Sequence, residues 1–372
     1  MHVLGLILLL FNLTPLHEAG YQGQGMTIAV IDAGFFRAND PTVFPQDQIL
    51  GVYNMLEGDS LAVDTFGMFN DSVNVHGTMV LSTMLYQDTT EGGFVGTAPK
   101  ASFYLIKSED IYAEYYGEVE RLARAFRLAD SLDVDIVTVS LGYSLFDDID
   151  GQPNPQNFTY ADMNGRTSPA SRAATELVRK GRFVLVAAGN DGDKPWHYIA
   201  TPSDADSILT VGAVNVNNND SVAPFSSYGP TSDGRLKPET SGSGWGATVY
   251  KPAEQDVQGN YVGAVGLANG TSFAAPATAG MVACLWQALP NLTNMELRDL
   301  IMQSSSLYPF HEDQRGYGVP DAWLAFNGPD TGIAQPQKDN SSPCKRIENG
   351  QLIIVHEGIK YTVLGIPMLK ND

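Results

Sequence analysis

Residues 27–34 read TIAVIDAG, and the fold is legible from this stretch outward. From Thr27 to Ile31 every side chain is apolar or β-branched, so a strand here has no polar face to turn to water and belongs inside a parallel sheet covered on both sides. The run ends at Asp32, Ala33 and Gly34, a charged group followed by a turn. Four more runs of the same kind follow: Ala101 to Ile106, Asp135 to Val139, Phe183 to Ala187 and Ile208 to Val214. Helical patterns lie between them, from His76 to Tyr86, from Glu114 to Leu132 and from Ser168 to Lys180. Ser168 and Pro169 suit the N-cap and the first helical position. Strand and helix alternate, which predicts an α/β fold: a doubly wound, mostly parallel central sheet with helices on both faces.

The 372 residues, 43% hydrophobic and 17% charged, have the composition of a globular protein with a sizeable core, and exclude a disordered chain or a small disulfide scaffold. Twenty-two basic against 42 acidic side chains give a net charge of −20, the wrong sign for gripping nucleic-acid phosphates or an anionic membrane. Cys284 and Cys344 cannot build a zinc cage or a CxxC pair. Cys284 lies in an apolar run that reads as a buried helix, and Cys344 in the terminal tail, so no disulfide is expected between them.

The ends of the chain read differently from its middle. Val3 to Phe11 (VLGLILLLF) is long enough for the apolar part of a signal peptide and too short to span a bilayer. No Lys or Arg precedes it and no A-x-A site follows, so residues 1–15 read as an apolar segment, either a signal remnant or the start of a truncated precursor. No transmembrane helix is expected elsewhere. Residues 146–165 read as a surface loop. A folded domain is expected over 16–327, a polar linker over 328–343, and a short β-meander over 344–372 with turns at Asn349-Gly350 and Glu357-Gly358. That meander is too small to bury a core of its own.

Four short blocks carry reactive side chains. Asp32 stands at the carboxyl end of a strand, where open parallel sheets bind ligands. In VHGTMV, His76 opens a helix, and a neutral imidazole can take a proton from a hydroxyl and return it to a leaving group. The other histidines, His2, His17, His197, His311 and His356, have no comparable setting. In NGTSFAAP, Ser272 lies at the start of a long apolar helix, where free backbone N–H groups favour negative charge. In VAAGN, Asn190 follows a strand, and its amide can donate to a developing oxyanion. Taken singly, these are caps, turns and structural histidines. Together they supply a base orienter, a base, an oxyanion donor and a nucleophile.

IAVIDAG, VHGTMV, VAAGN and GTSFAAP resemble the catalytic blocks of the subtilisin-like serine peptidases, the subtilases, and stand in that family's order of Asp, His, Asn and Ser. The resemblance covers roughly residues 16–327, through HEAGYQGQG, VSLGYS, SILTVGAV, APFSSYGPTSDGRLKPE and GYGVPDAW. It implies a serine endopeptidase with a triad of Asp32, His76 and Ser272, an acyl-enzyme intermediate and an oxyanion hole assisted by Asn190. It further implies that Ser140, Leu141 and Gly142 pair with an extended peptide. Ala187, Ala188 and Gly189 would line the pocket for the side chain before the scissile bond, with room for a large apolar group. Peptide or protein substrates and a secreted or cell-surface location are the matching expectations; the oligomeric state is unknown from the sequence, with a monomer as the default. The chemistry needs no cofactor; a structural calcium fits the family, but no spacing identifies its ligands.

Several positions depart from the family pattern. Ala33 replaces a Thr, Met79 a second His, and Phe273 with Ala277-Thr278 the usual Met and His-Val, none of which removes a proton-transfer group. Pro238-Glu239-Thr240 begins like the family's Lys-Pro-Asp block, but SGSGWG departs from it and leaves its role open. Only 31 residues precede Asp32, with no room for a pro-segment, so the sequence is truncated or this member folds without one.

Three rival readings are weaker. Gly58-Asp59-Ser60-Leu61 spells the GDSL block of a lipase and esterase family, yet no Asp stands three before any His. No Ser occurs in Gly-x-Ser-x-Gly, the α/β-hydrolase elbow. A catalytically silent subtilase fold that binds peptides or a partner is the remaining alternative, although every triad member is present. The tail weakly resembles the β-rich sorting ends of some secreted Gram-negative proteins; docked on the main domain or serving for sorting, it is expected to be dispensable for catalysis.

Overall fold

The computed structural model describes residues 6–57, 72–90, 92–328, 344–348, 351–356 and 359–362. The GDSL block, residues 329–343 of the linker and both turns of the tail lie outside the described residues. The chain divides into two compact units, Met1–Pro329 and Asp330–Asp372.

The first unit opens with two short helices, α1 (Leu6–Leu10) and α2 (Thr14–Glu18), followed by β1 (Thr27–Asp32) and β2 (Ile49–Asn54). Next come α3 (His76–Leu85), β3 (Ser102–Lys107), α4 (Gly117–Ser131), β4 (Ile136–Val139), α5 (Pro169–Arg179) and β5 (Phe183–Ala187). The remainder is β6 (Leu209–Asn215), β7 (Asn218–Val222), β8 (Thr240–Lys251), β9 (Ala264–Asn269), α6 (Thr271–Ala288), α7 (Asn294–Gln303) and α8 (Ala322–Asn327). These strands form one nine-stranded sheet in the order β2-β3-β1-β4-β5-β6-β8-β9, with β7 paired to β6. All pairings are parallel except β6 with β7 and β8 with β9. The doubly wound α/β sheet expected from the sequence is therefore present.

Both faces of the sheet are buried, as the near-continuous apolar runs require. Along β1, Ile28 and Val30 enter one core with residues of α3 and α6, while Ala29 and Ile31 enter the other with residues of α4 and α5. In β5 the same alternation sends Phe183, Leu185 and Ala187 one way and Val184 and Val186 the other. Ser168 caps α5 by accepting the N–H of Ala170 at 3.2 Å. Helix α4 begins at Gly117 rather than at the expected Glu114, whose N–H is held by the Asp147 carboxylate at 2.9 Å.

From residue 6 onward the apolar N-terminal segment is not set apart: Ile7, Leu8, Phe11 and Leu13 are buried in the larger core. The carbonyl of Phe11 accepts the N–H of Ala322 at 2.8 Å, and Asn12 donates to the Asp321 carboxylate at 3.0 Å.

The second unit holds a three-stranded antiparallel sheet of β10 (Cys344–Glu348), β11 (Gln351–His356) and β12 (Ile359–Thr362), matching the meander read from the sequence.

Candidate active site

Asp32 ends β1 at the carboxyl edge of the sheet, fully buried. Its Oδ1 accepts the N–H of Ala33 at 2.7 Å and lies 2.7 Å from Nδ1 of His76. His76 is the first residue of α3, and Gly77 sets where that helix sits. The N–H of Gly77 donates to the carbonyl of Gly34 at 2.9 Å, and a Cβ at position 77 would come within 2.5 Å of that oxygen. Only glycine lets the helix rest this close on the turn after β1 and so carry the imidazole to the carboxylate. The His76 side chain remains 36% exposed. Burial by itself lowers the imidazole pKa, but the Asp32 charge, the hydrogen bond to it and the Glu109 charge together raise it above its ordinary value.

Ser272 is the second residue of α6 and is 8% exposed. The ring of the next residue, Phe273, lies 5.8 Å from the His76 ring between centroids, which sets the start of α6 against the imidazole. Pro276 has no N–H to give to the carbonyl of Ser272, four residues earlier. The Ser140 hydroxyl fills that vacancy, donating to the Ser272 carbonyl at 2.8 Å.

Asn190 follows the Ala188-Gly189 turn after β5. Its Oδ1 accepts both the N–H of Thr271 at 2.9 Å and the Thr271 hydroxyl at 3.1 Å. The amide is thereby oriented with Nδ2 on the side of Gly270, 3.7 Å from where a Cβ at 270 would lie. The Thr271 hydroxyl also accepts the N–H of Gly189 at 3.1 Å. Thr271 thus ties the loop after β5 to the helix that carries Ser272.

Ser140, Leu141 and Gly142 continue from β4. Ser140 and Leu141 are buried and Gly142 is exposed, and beyond them Tyr143 is tied to Thr201 through backbone hydrogen bonds of 2.8 and 3.2 Å. Of the three expected pocket residues, Ala187 and Ala188 are buried, and the N–H of Ala188 is held by Val211 at 3.0 Å. Gly189 alone reaches partly into solvent.

The order of these residues, their placement at the carboxyl edge and the Asp32–His76 contact agree with a match to the model of the subtilase family over residues 23–319. The chain belongs to that family of serine peptidases. This subtilase is 28% identical to the serine protease AprX of Bacillus subtilis (strain 168), over 80% of this chain and 64% of that one. It is 26% identical to subtilisin BL of Lederbergia lenta, over 78% of this chain and 87% of that one. Among solved structures, fervidolysin from Fervidobacterium pennivorans shares the fold with a TM-score of 0.61 and 21% identity, covering 85% of this chain and 44% of that one.

Three further groups that the sequence brings to notice, His17, Cys284 and Glu239, are held inside the subtilase unit. Nε2 of His17 lies 3.0 Å from the carbonyl of Thr97, and burial lowers its pKa. Cys284 is free and buried, and burial pushes its thiol well above the ordinary range. Glu239, left open by the sequence, accepts the N–H of Thr210 at 2.7 Å and pairs with Lys237 and Arg298. Among the described residues no group of three or more His, Cys, Asp or Glu side chains is placed to hold a metal ion. Among them, too, no helix is long and apolar enough to cross a membrane.

Proposed function

We propose that the protein is a serine endopeptidase that cleaves polypeptides bound in an extended conformation. The observation that carries this reading is the buried Asp32 carboxylate 2.7 Å from Nδ1 of His76, beside the first turn of α6. With Nδ1–H held by Asp32, the unprotonated Nε2 is the nitrogen left to take the proton of the Ser272 hydroxyl as Oγ attacks the scissile carbonyl. The new C–O bond turns the carbonyl oxygen into an oxyanion, stabilised by Nδ2 of Asn190 and the backbone N–H of Ser272 in the first turn of the helix. His76 then passes its proton to the amine as the C–N bond breaks, leaving an acyl group on Ser272. Water, deprotonated by the same imidazole, releases the acid and restores the serine. The raised pKa of His76 supports this reading, since Asp32 favours the imidazolium that each step forms.

In this reading an extended peptide lies along Ser140 to Gly142, with the side chain before the scissile bond at the Ala187–Gly189 turn. The reaction asks for no cofactor, and a structural calcium is compatible with it. Family likeness supports a secreted or cell-surface location. A catalytically silent peptide binder would have no use for the Asp32–His76 pair, and no observation favours one.

The test is labelling with a serine-directed phosphonate together with casein cleavage. One adduct is expected, on Ser272, and Ser272→Ala should lose both labelling and cleavage. A Ser272→Ala protein that cleaves casein as fast as the parent would overturn the assignment.

A further inference from the structure

Strand β3 lies on the side of β1 away from β4 and β5. Its last residue, Lys107, stands beside Asp32, and the next, Ser108, donates its N–H to the Asp32 carbonyl at 3.1 Å. Glu109 comes directly after. It is therefore placed at the same carboxyl edge as the Asp32–His76 pair, across that pair from Ser140 to Gly142. Its side chain is partly exposed, and its carboxyl makes no hydrogen bond or ion pair among the described residues. It lies within electrostatic reach of Asp32 and His76, and also of Tyr143, the residue after Gly142.

The surroundings of Glu109 are short of positive charge. Glu114 and Glu118 lie within electrostatic reach of it. Arg121 is already engaged, 3.4 Å from Glu118 and donating to the Ser108 carbonyl at 3.2 Å. Lys107 donates to Asn74 at 2.9 Å, and Asp110 gives its N–H to Glu118 at 2.6 Å. The Tyr143 hydroxyl, 1% exposed for the residue as a whole, is buried without a hydrogen-bond partner among the described residues and is close enough to feel Glu109, Glu118 and Glu114. Burial, then the neighbouring Asp32, Glu114 and Glu118 charges, push the Glu109 carboxyl up to about 8. An incoming cation would relieve that cost.

Successive side chains of an extended peptide point in opposite directions. If the side chain before the scissile bond turns toward Gly189 at the end of β5, its predecessor turns the other way, over His76 toward the ends of β1 and β3. We propose that Glu109 is a specificity-determining residue that selects Lys or Arg at the substrate position one before the residue whose carbonyl is attacked. This inference rests on the peptidase reading above and narrows its substrate class to peptides basic at that position. Nothing is transferred to Glu109; it binds a side chain and takes no part in bond breaking.

The test uses fluorogenic peptides that differ only at that position, carrying Lys, its uncharged isostere norleucine, Ala or Glu. For the parent enzyme, kcat/KM for Lys should exceed that for norleucine by roughly tenfold or more, the scale of a hydrogen bond to a charged group, with Glu the poorest. In Glu109→Gln the Lys-to-norleucine ratio should fall toward one, and in Glu109→Lys the Glu peptide should overtake the Lys peptide. A parent enzyme that cleaves Lys and norleucine peptides equally would overturn the proposal, and so would a Glu109→Gln enzyme that keeps the full ratio. The parent profile needs no variant to fold. Phosphonate labelling of Ser272 and cleavage of the Ala peptide separate the two readings: with both present and a flat profile only the role of Glu109 falls, and with neither the peptidase reading falls with it.

Discussion

The Ser140 hydroxyl donates to the backbone carbonyl of Ser272 at 2.8 Å, an oxygen that Pro276 leaves without its helical donor. This bond joins the end of β4, where the substrate strand is proposed to lie, to the peptide unit of the proposed nucleophile. Ser140→Ala would leave that carbonyl buried and unsatisfied, at a cost of about 1–3 kcal/mol. A lower Tm is expected, with a fall in kcat larger than any change in KM, because the displaced group is Ser272. Ser140→Thr keeps a hydroxyl and should recover most of both. Thermal unfolding and steady-state kinetics on the three proteins decide the matter, and an unchanged Tm for Ser140→Ala would show that the bond does not hold the helix start.

The amide of Asn190 is oriented from behind by Thr271, whose N–H and hydroxyl both donate to its Oδ1. Asn190→Ala should lower kcat by roughly 10²- to 10³-fold with little change in KM, a magnitude known for removing one oxyanion donor in a subtilisin. Thr271→Val keeps the N–H bond but removes the hydroxyl, which also anchors Gly189, and should lower kcat by a smaller factor, about tenfold. Thr271→Ser should restore it. If Asn190→Ala instead raised KM alone, Asn190 would be a substrate-binding residue.

The parts legible in the sequence were those whose periodicity or chemistry is local. TIAVID, FVLVA and the runs between them show a parallel sheet because both of their faces are apolar, and β5 is bounded at Phe183 and Ala187 as read. Strand β8 was not legible, since TSGSGWGATVYK carries neither alternation nor a hydrophobic run in its first half. Its small residues have a packing reason. A Cβ at Gly242 would come within 3.0 Å of the Ala274 carbonyl, so α6 rests directly on the strand backbone. Asp32, His76, Asn190 and Ser272 stood out as residues because their blocks are distinctive. The Ser140 and Thr271 side chains did not, because their partners are 132 and 81 residues away in the chain. Glu109 was missed for a similar reason: in SEDIYAEYYGEVE it is one acid among several, and only the register that sets Lys107 beside Asp32 brings it, two residues on, to the same edge of the sheet.

The acid side of the pH profile should lie above the ordinary imidazole value of about 6.5. Burial lowers the His76 pKa, but the Asp32 charge and hydrogen bond, with Glu109, raise it beyond that loss. A protonated imidazole cannot accept the Ser272 proton, so kcat/KM should fall as pH drops through this raised value. Asp32→Asn removes two of the three raising influences and should move the acid limb to lower pH while depressing kcat by about 10⁴-fold. Profiles from pH 5 to 9 for both proteins test this, and a limb that stays in place in Asp32→Asn would mean that another group controls it.

Glu239 holds two cations inside the protein. Its Oε1 lies 2.8 Å from Nζ of Lys237, an ion pair without the alignment of a hydrogen bond, and 2.7 Å from Nη2 of Arg298. The Lys237 and Glu239 side chains are 1% and 4% exposed. Removing the carboxylate leaves Lys237 buried beside a second cation, so Glu239→Ala should cost about 3–5 kcal/mol. Lys237→Met should cost less, because Glu239 keeps Arg298 and the Thr210 N–H. The two variants also differ in how stability follows pH. Burial pushes Lys237 down to about 8, against the pull of Glu239, while an unfolded lysine titrates near 10.4. Between about pH 8 and 10.4 the unfolded chain binds a proton that the folded chain does not, so the contribution of Lys237 to stability rises with pH across that window. Urea unfolding at pH 8 and pH 10, in the Ser272→Ala background to prevent self-digestion, should show the parent gaining on Lys237→Met at the higher pH. Parallel stability changes in the two proteins would mean that Lys237 keeps its proton throughout, and that the ion pair outweighs burial.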